Sequence, residues 1–498
     1  MTHAHATPPH DSSPPACQAS AWRTDLLAGV SVFLIALPLC LGIATASGVA
    51  PFAGILAGVI GGLVVALLSG SRLSVSGPAA GLVVIVVEAL ATLGSFSAFL
   101  TALVLAGTLQ LMFGFLRAGK LASYVPPPVI NGMLAAIGIL LIANQLPLAA
   151  GFANGGISAA TPLLALVSLA ILLTWETPAL RAFALVRAIP APLAVVSFGI
   201  AATALGDTFG GNVSLASIQR VAMPPLGSWD ALSQAFTFPS FTQWLNPDVW
   251  RVAVVIAIVA SLETLLSLEA LEQIDPAHQK PAPNRELKAQ GVGDLLAGLL
   301  GALPLTAVVV RSAANVHAGG RGRLSCVTHG VMLLIACLAL TRVINMIPLA
   351  SLAAILIHTG YKLAKPQLFV SMGKAGFAQV VPFIGTIVGV LATDLLIGIA
   401  IGFALSVALV VERNMRRVLS FTRDGDHYLL TVRKSATFFC TPQLKHYLGQ
   451  VHSGATLILD ATHADHIDHD VRQVVDRYTA RARTCGVRIE YKQWPVRR

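Results

Sequence analysis

The sequence predicts an α-helical polytopic membrane protein of fourteen apolar segments, built as two inverted seven-segment repeats and followed by a small cytoplasmic α/β domain. Three observations predict it. Of the 498 residues, 55% are apolar and only 11% are charged, with a mean hydropathy of +0.76, whereas soluble proteins carry about 25% charged residues. Basic residues fall almost wholly in alternate loops between the apolar segments. Finally, two apolar runs are interrupted at corresponding places in the two halves, at 72–80 (RLSVSGPAA) and 302–315 (ALPLTAVVVRSAAN).

In chain order, residues 1–21 read as a disordered polar tail with no cleavable signal peptide. Segments of about spanning length, or somewhat short of it, follow at 26–46, 51–69, 79–93, 99–116, 129–146, 162–175 and 192–205. A polar stretch at 206–250 separates them from 252–271, 293–303, 306–318, 324–340, 349–363, 380–392 and 395–411. With the N-terminus inside, loops on that side carry Arg72; Arg117 and Lys120; Arg181 and Arg187; Lys280, Arg285 and Lys288; Arg321 and Arg323; and Lys362, Lys365 and Lys374. The opposite loops carry only Arg220 and Arg342. Thirteen against two is a strong positive-inside bias, and a single miscounted span in mid-chain would destroy it. The net charge of +10 is therefore read as a topology signal and not as a nucleic-acid surface. An odd number of spans per half inverts one half relative to the other, as in many secondary transporters.

In each interrupted run, extended backbone (Leu73-Ser74-Val75-Ser76 and Leu303-Pro304-Leu305-Thr306) meets a helix start. Such backbone is tolerated at membrane depth only inside protein or beside a watery cavity, because lipid cannot satisfy its N–H and C=O groups. Beyond 411 comes a basic cluster at 413–417, then a soluble stretch with strands at 428–432, 456–459 and 487–491 and helices at 442–448 and 470–483. The membrane domain is assigned to 22–412, with repeats at about 22–206 and 249–412, and the C-terminal domain to 424–498. Six widely spaced cysteines suggest neither a metal centre nor a disulfide framework.

Ionisable residues within spans cost roughly 2.5–3.5 kcal/mol on insertion scales and default to functional candidates. Here they are Glu88, Glu176, Glu263, Glu269, Asp294, Arg311 and Asp394. Glu176 and Asp394 sit at span ends, Glu269 belongs to a solvated rim with Glu272 and Asp275, and Glu88 is read as a packing residue. Asp294 is read as the start of the ninth span, since carboxylates favour helix N-termini. Arg311 follows a helix start whose free N–H groups and dipole already favour an anion. A fixed positive charge between two facing helix N-termini makes an oxyanion pocket that needs no metal. Glu263 lies mid-span with Thr264 beside it and Ser267 one turn further on the same face, oxygens suited to a cation. Its alternative role is a buried ion pair with Arg311.

Four runs in order, DLLAGVSVFLIALP (25–38), SGPAAG (76–81), ASLETLLS (260–267) and VVVRSAANVHAGGRGRLS (308–325), resemble the SulP sulfate-permease family of anion transporters over roughly residues 22–412. The tail resembles that family's STAS domain, with 456–460 as its core strand and Ile467-Asp468 in its Asp-bearing loop. The resemblance implies a core-and-gate fold in which the third and tenth spans are half-helices facing each other across an anion site. Gly77, Pro78, Ala79 and Ala80 would stand on one side, and Ala307, Val308, Val309 and Arg311 on the other. It also implies that Glu263 holds the position tied to cation coupling in sodium-dependent bicarbonate members, with Ser267 and Thr306 as co-ligands. The first span reads Leu37-Pro38-Leu39 where many members carry Gln after the Pro, so one polar substrate contact is missing. The wording LPLCLGIA, IDP and GYKLAKP is similar to bacterial members associated with carbonic anhydrase, which favours bicarbonate over sulfate.

The expected function is secondary-active, cation-coupled transport of a small inorganic oxyanion by alternating access. Sodium or a proton is the expected coupling ion, with no other cofactor and no resident metal. An anion channel or exchanger and a nucleobase-type permease of the same architecture are the alternatives; a permease would need a more polar pocket than Ala and Val supply. A third class is a membrane-tethered signalling protein acting through its tail. Expected partners are the anion, the lipid bilayer, a second copy in a homodimer and, functionally, carbonic anhydrase, with no nucleic acid. The expected location is a bacterial-type inner membrane with both termini cytoplasmic. No triad, metal spacing or phosphate loop points to an enzyme.

Overall fold

The computed structural model describes residues 15–120, 125–152, 160–175, 177–183, 186, 189–209, 220–224, 233–275, 281–482 and 485–494. Residues 1–14 of the expected tail and Glu176 lie outside these. All fourteen apolar segments are helices. The first repeat holds α1 (Pro15–Ala46), α2 (Pro51–Leu68), α3 (Ala80–Leu93), α4 (Phe96–Phe115), α5 (Pro127–Ala149), α6 (Ala160–Trp175) and α7 (Ala191–Phe209). The second holds α8 (Pro247–Ile274), α9 (Pro283–Leu300), α10 (Val309–His317), α11 (Arg323–Ala339), α12 (Leu349–Leu363), α13 (Phe377–Ala392) and α14 (Leu395–Val418). Two short strands, β1 (Ser76–Pro78) and β2 (Leu305–Ala307), precede α3 and α10.

Local chemistry sets many of these ends. Pro opens α2, α5, α8 and α9, where its fixed φ suits a helix and its missing N–H is not needed. Gly94 (φ 69°) and Gly301 (φ 81°) close α3 and α9 in the left-handed conformation, which costs glycine nothing. Two boundaries differ from the sequence reading. The first helix begins at Pro15, inside the expected tail, because a favourable N1 proline and a run with no further proline or glycine before Gly29 let it extend. The ninth span begins at Pro283, ten residues ahead of the expected 293, so Asp294 lies in the body of α9. The sequence reading places Arg285 and Lys288 in a loop, yet Glu286 and Gln290 in the same stretch are wholly enclosed with hydrogen-bond partners.

The inverted repeat is visible as matched packing. On α4 and α9, Gly107 and Gly291 meet so closely that an added Cβ would come within 2.5 Å of Leu295 N and 2.7 Å of Leu111 N, respectively. The symmetry-related pair is α11 on α2, where a Cβ on Gly62 would stand 2.5 Å from Gly330 Cα. The self-paired contact is α5 on α12, with Gly138 against Gly360 O at 2.5 Å from an added Cβ. Lipid offers no hydrophobic drive between helices, so small residues that bring backbones together supply the packing.

Residues 375–382 and 401–498 form a second compact unit. It contains β3 (Leu419–Asp424), β4 (His427–Ala436), α15 (Thr441–Gly449), β5 (Thr456–Ile467), α16 (His469–Ala482) and β6 (Arg488–Lys492), with the sheet ordered β3-β4-β5-β6. The first pair is antiparallel and turns at Gly425 (φ 57°), while the other pairs are parallel, with α15 and α16 as crossovers. Tyr428, Leu430, Leu457, Leu459, Leu444 and Val471 fill the core between sheet and helices. The domain starts earlier than the expected 424, because β3 follows α14 directly with no turn residue to announce it. Asp460 on β5 accepts from Thr462 N at 2.9 Å and from the Thr462 hydroxyl, and its other oxygen accepts from Lys492 Nζ at 3.1 Å. The Thr462 hydroxyl foremost holds its carboxyl down to about 2.

A carboxyl depressed in the folded state stabilises above its unfolded value, about 3.9, and that contribution is lost as pH falls through about 2. Asp460→Asn is therefore expected to lower the urea resistance of β5 amides, read by hydrogen exchange in the full chain at pH 7. The difference from wild type is expected to shrink below pH 4.

Candidate functional site

The two broken spans repair each other. β1 and β2 pair antiparallel with Ser76 opposite Ala307, Gly77 opposite Thr306 and Pro78 opposite Leu305. Beyond the ladder, Val308 N donates to Val75 O at 3.0 Å and Val75 N to Ser312 Oγ at 3.0 Å. Ala307 N donates to Thr264 Oγ1 at 3.3 Å, Leu305 N to Asp294 Oδ1 at 2.7 Å, and Asn315 Nδ2 to Leu73 O at 3.1 Å. Backbone groups that a continuous helix would have satisfied thus find side chains of α8, α9 and α10. Immediately past the strands, α3 and α10 begin, so two helix starts stand beside one short sheet.

Arg311, in the first turn of α10, is fully buried. Its Nη2 donates to Pro78 O at 3.3 Å, its Nε and Nη1 lack a partner in hydrogen-bonding geometry, and the Cys40 thiol lies beside the guanidinium. A Cβ on Gly77 would lie 2.1 Å from Arg311 Nη1, and one on Gly81 would lie 2.9 Å from both Glu263 oxygens. Each of these glycines in the SGPAAG run makes room for a charged side chain of the other repeat. A cavity of about 580 Å³ opens at this point. Pro78, Ala80, Val308, Val310 and Arg311 line it from the broken spans, Ile35 and Leu39 from α1, and His358, Thr359 and Lys362 from α12.

Of the residues named from the sequence, Pro78, Ala80, Val308 and Arg311 line this cavity. Gly77 and Ala307 lie in the strand pair behind it, Ala79 is buried beside them, and Val309 is 38% exposed and outside the lining. Glu263 forms no ion pair with Arg311; its Oε2 is unpartnered, as is Thr306 Oγ1. Ser267 is buried one turn along α8. Sequence reasoning missed His317, His358, Thr359 and Lys362 in the lining. The available signal is His358 and Lys362 at i, i+4 on one helix face, which the reading of Lys362 as a loop charge hides. Glu88 is exposed in a small hollow with Arg251 and Asp394, which pair at 3.4 Å. Asp25 of the first quoted run accepts from Arg321 N at 2.7 Å and Gly322 N at 3.1 Å in the last. That contact gives two distant motifs a shared reason.

A buried guanidinium with two free N–H-bearing nitrogens, at the mouths of two helices, can take a small oxyanion through charge-assisted hydrogen bonds. A family model described as the Sulfate permease family matches residues 22–160 and 152–386. YvdB of Bacillus subtilis (strain 168) is 28% identical over 433 residues, covering 83% of this chain and 78% of YvdB. The bicarbonate transporter BicA of Synechocystis sp. (strain ATCC 27184 / PCC 6803 / Kazusa) is 27% identical over 440 residues, covering 82% of this chain and 74% of BicA. The murine Slc26a9 anion transporter in its inward-facing state shares the fold, with a TM-score of 0.73 at 17% identity over 97% of this chain and 89% of that one.

Gly77→Ala leaves Arg311 in the chain but places a methyl where Nη1 stands. It is expected to weaken anion-induced thermal stabilisation of the purified protein about as much as removal of Arg311 does. Full retention of that stabilisation would show that the guanidinium does not need this position.

Proposed function

Because the chain belongs to the sulfate permease family, we propose that it is a secondary-active transporter that moves a small inorganic oxyanion, bicarbonate or sulfate, together with a cation. The observation that carries this reading is Arg311: wholly enclosed, donating to Pro78 O, counted in the cavity lining, and with Nε and Nη1 unpartnered. A charge buried at such cost is retained where it has a ligand. Pro78 and Ala80 at the start of α3 and Val308 at the start of α10 bring the helix mouths to the same cavity. Gly77, Ala79, Ala307 and Val309 shape the backbone around it. Relatives named for sulfate and relatives named for bicarbonate are about equally similar to this chain, and the proposal covers both anions.

Glu263 is the coupling residue on this reading. A half-buried carboxylate in mid-span with an enclosed, unpartnered oxygen needs a positive companion. Sodium, held by Glu263 with Ser267 and Thr306, fits the oxygen ligands that hard cations prefer; a proton on the carboxyl is the other means. Alternating access would carry the core (α1–α4 and α8–α11) past the gate (α5–α7 and α12–α14). Both termini would lie in the cytoplasm of a bacterial-type cell, in keeping with the basic loops. A homodimer in the inner membrane is the proposed unit, functionally linked to carbonic anhydrase through bicarbonate.

The test is uptake by the purified protein in liposomes, with sulfate, bicarbonate and chloride under imposed sodium or proton gradients. Accumulation against the anion's own gradient is expected, and dissipation alone would identify a channel instead. Arg311→Ala is expected to lower anion affinity by roughly 10- to 100-fold, the loss of about 1.5–3 kcal/mol from a charge-assisted contact. Unchanged affinity in a folded variant would refute the site.

Glu263→Gln is expected to abolish concentrative uptake while leaving anion exchange. If it still concentrates anion with the wild-type dependence on sodium and pH, Glu263 is not the coupling residue.

A further inference from the structure

Glu286, Gln290 and Asp294 stand at four-residue intervals along one face of α9, and all three are fully buried. Three polar side chains sunk into a membrane protein carry a desolvation cost unless they bond to something. Here each bonds to a piece of backbone or side chain that has left helical geometry. Glu286 accepts from the Ser69 hydroxyl and, at 2.9 Å, from Gly70 N, at the end of α2. Gln290 Nε2 donates to Ser76 Oγ at 2.7 Å and to Glu286 Oε1 at 3.0 Å. Asp294 Oδ1 accepts from Leu305 N at 2.7 Å.

Ser76 and Leu305 are the first residues of β1 and β2. Because the strands run antiparallel, Gln290 grips the Ser76/Ala307 end of the ladder and Asp294 grips the Leu305/Pro78 end. Pro78 is the residue whose carbonyl receives Arg311 Nη2. One rigid helix face therefore fixes both ends of the sheet on which the guanidinium rests.

We infer that Gln290 and Asp294 are positioning residues for the anion site, acting as a two-point clamp from α9 that sets where Arg311 stands. The inference rests on the reading of Arg311 as the anion's ligand. Asp294 acts in it as a hydrogen-bond acceptor for Leu305 N, and not as a charge. An amide at 294 would still accept from Leu305 N, and Gln110, whose side chain lies beside Asp294, can turn its oxygen to the new amide nitrogen.

Full-length protein would be purified as wild type, Asp294→Ala, Asp294→Asn, Gln290→Leu, Arg311→Ala and the Asp294→Ala/Arg311→Ala double variant. Sulfate and bicarbonate affinity would be measured by anion-dependent thermal shift, and uptake KM and pH profile in liposomes. Asp294→Ala and Gln290→Leu are each expected to weaken anion affinity about tenfold, the loss of one hydrogen bond's positioning, with KM rising more than the maximal rate falls. Asp294→Asn is expected to recover most of the affinity at an unchanged pH profile. In the Arg311→Ala background, Asp294→Ala is expected to cost no further affinity, because what it positions is gone.

A pH profile displaced in Asp294→Asn would overturn the inference in favour of a charge or proton role. Equal losses with and without Arg311 would overturn it in favour of general packing. Should Asp294→Ala fail to fold, Gln290→Leu carries the same comparison, alone and with Arg311→Ala, at the other end of the ladder. Arg311→Ala with wild-type affinity would overturn the site reading itself, an outcome distinct from a clamp that fails while Arg311 proves essential.

Discussion

A bilayer does not forgive an unpaired peptide group, and two of the fourteen spans break their helices in the middle of the membrane domain. Each unsatisfied N–H or C=O there costs several kcal/mol. The repair is mutual: six residues from the two halves pair as β1 and β2, and the groups left over are met by Thr264, Asp294, Ser312 and Asn315. Neither half can make that repair alone. The break is thus the feature that ties the two repeats together, and it is also what turns two helix starts towards one cavity.

Once the backbone is broken, charge can be brought in. Arg311 lies over Pro78 because Gly77 has no Cβ to exclude it, and Glu263 lies against Gly81 for the same reason. The two charged groups are held by separate glycines and do not neutralise each other. A buried ion pair would have been easier to keep in lipid, but it would have left nothing for a ligand to complete. The unpaired arrangement is unfavourable for the resting protein and suited to a site whose missing partners arrive from solution.

Small residues perform a second task away from the site. Gly107 with Gly291, Gly62 with Gly330, and Gly138 with Gly360 draw helices of opposite repeats into backbone contact. The first two contacts are equivalent under the exchange of repeats, so the same packing device appears twice with unrelated flanking residues. Close packing of this kind gives α9 a fixed seat, from which its polar face reaches the strands.

By itself the sequence determined the number and order of the spans, the two interruptions, the inverted halves and the place of Arg311 just past a helix start, because each is written in local composition or in alternation along the chain. It also carried most strands and both helices of the C-terminal domain, and missed β3, which has no turn before it. Only the tertiary structure decided that Glu286 and Gln290 on one face of α9 are buried, that Asp294 serves Leu305 N and does not start a helix, and that Glu263 is not paired with Arg311. The same holds for His358 and Lys362 in the cavity wall, which the chain presents only as a histidine in an apolar run and a loop charge. The reason is distance along the chain. Arg311 meets Pro78 across 233 residues and Gln290 meets Ser76 across 214, and no periodicity within a window of one helix encodes which distant backbone group a buried side chain will satisfy.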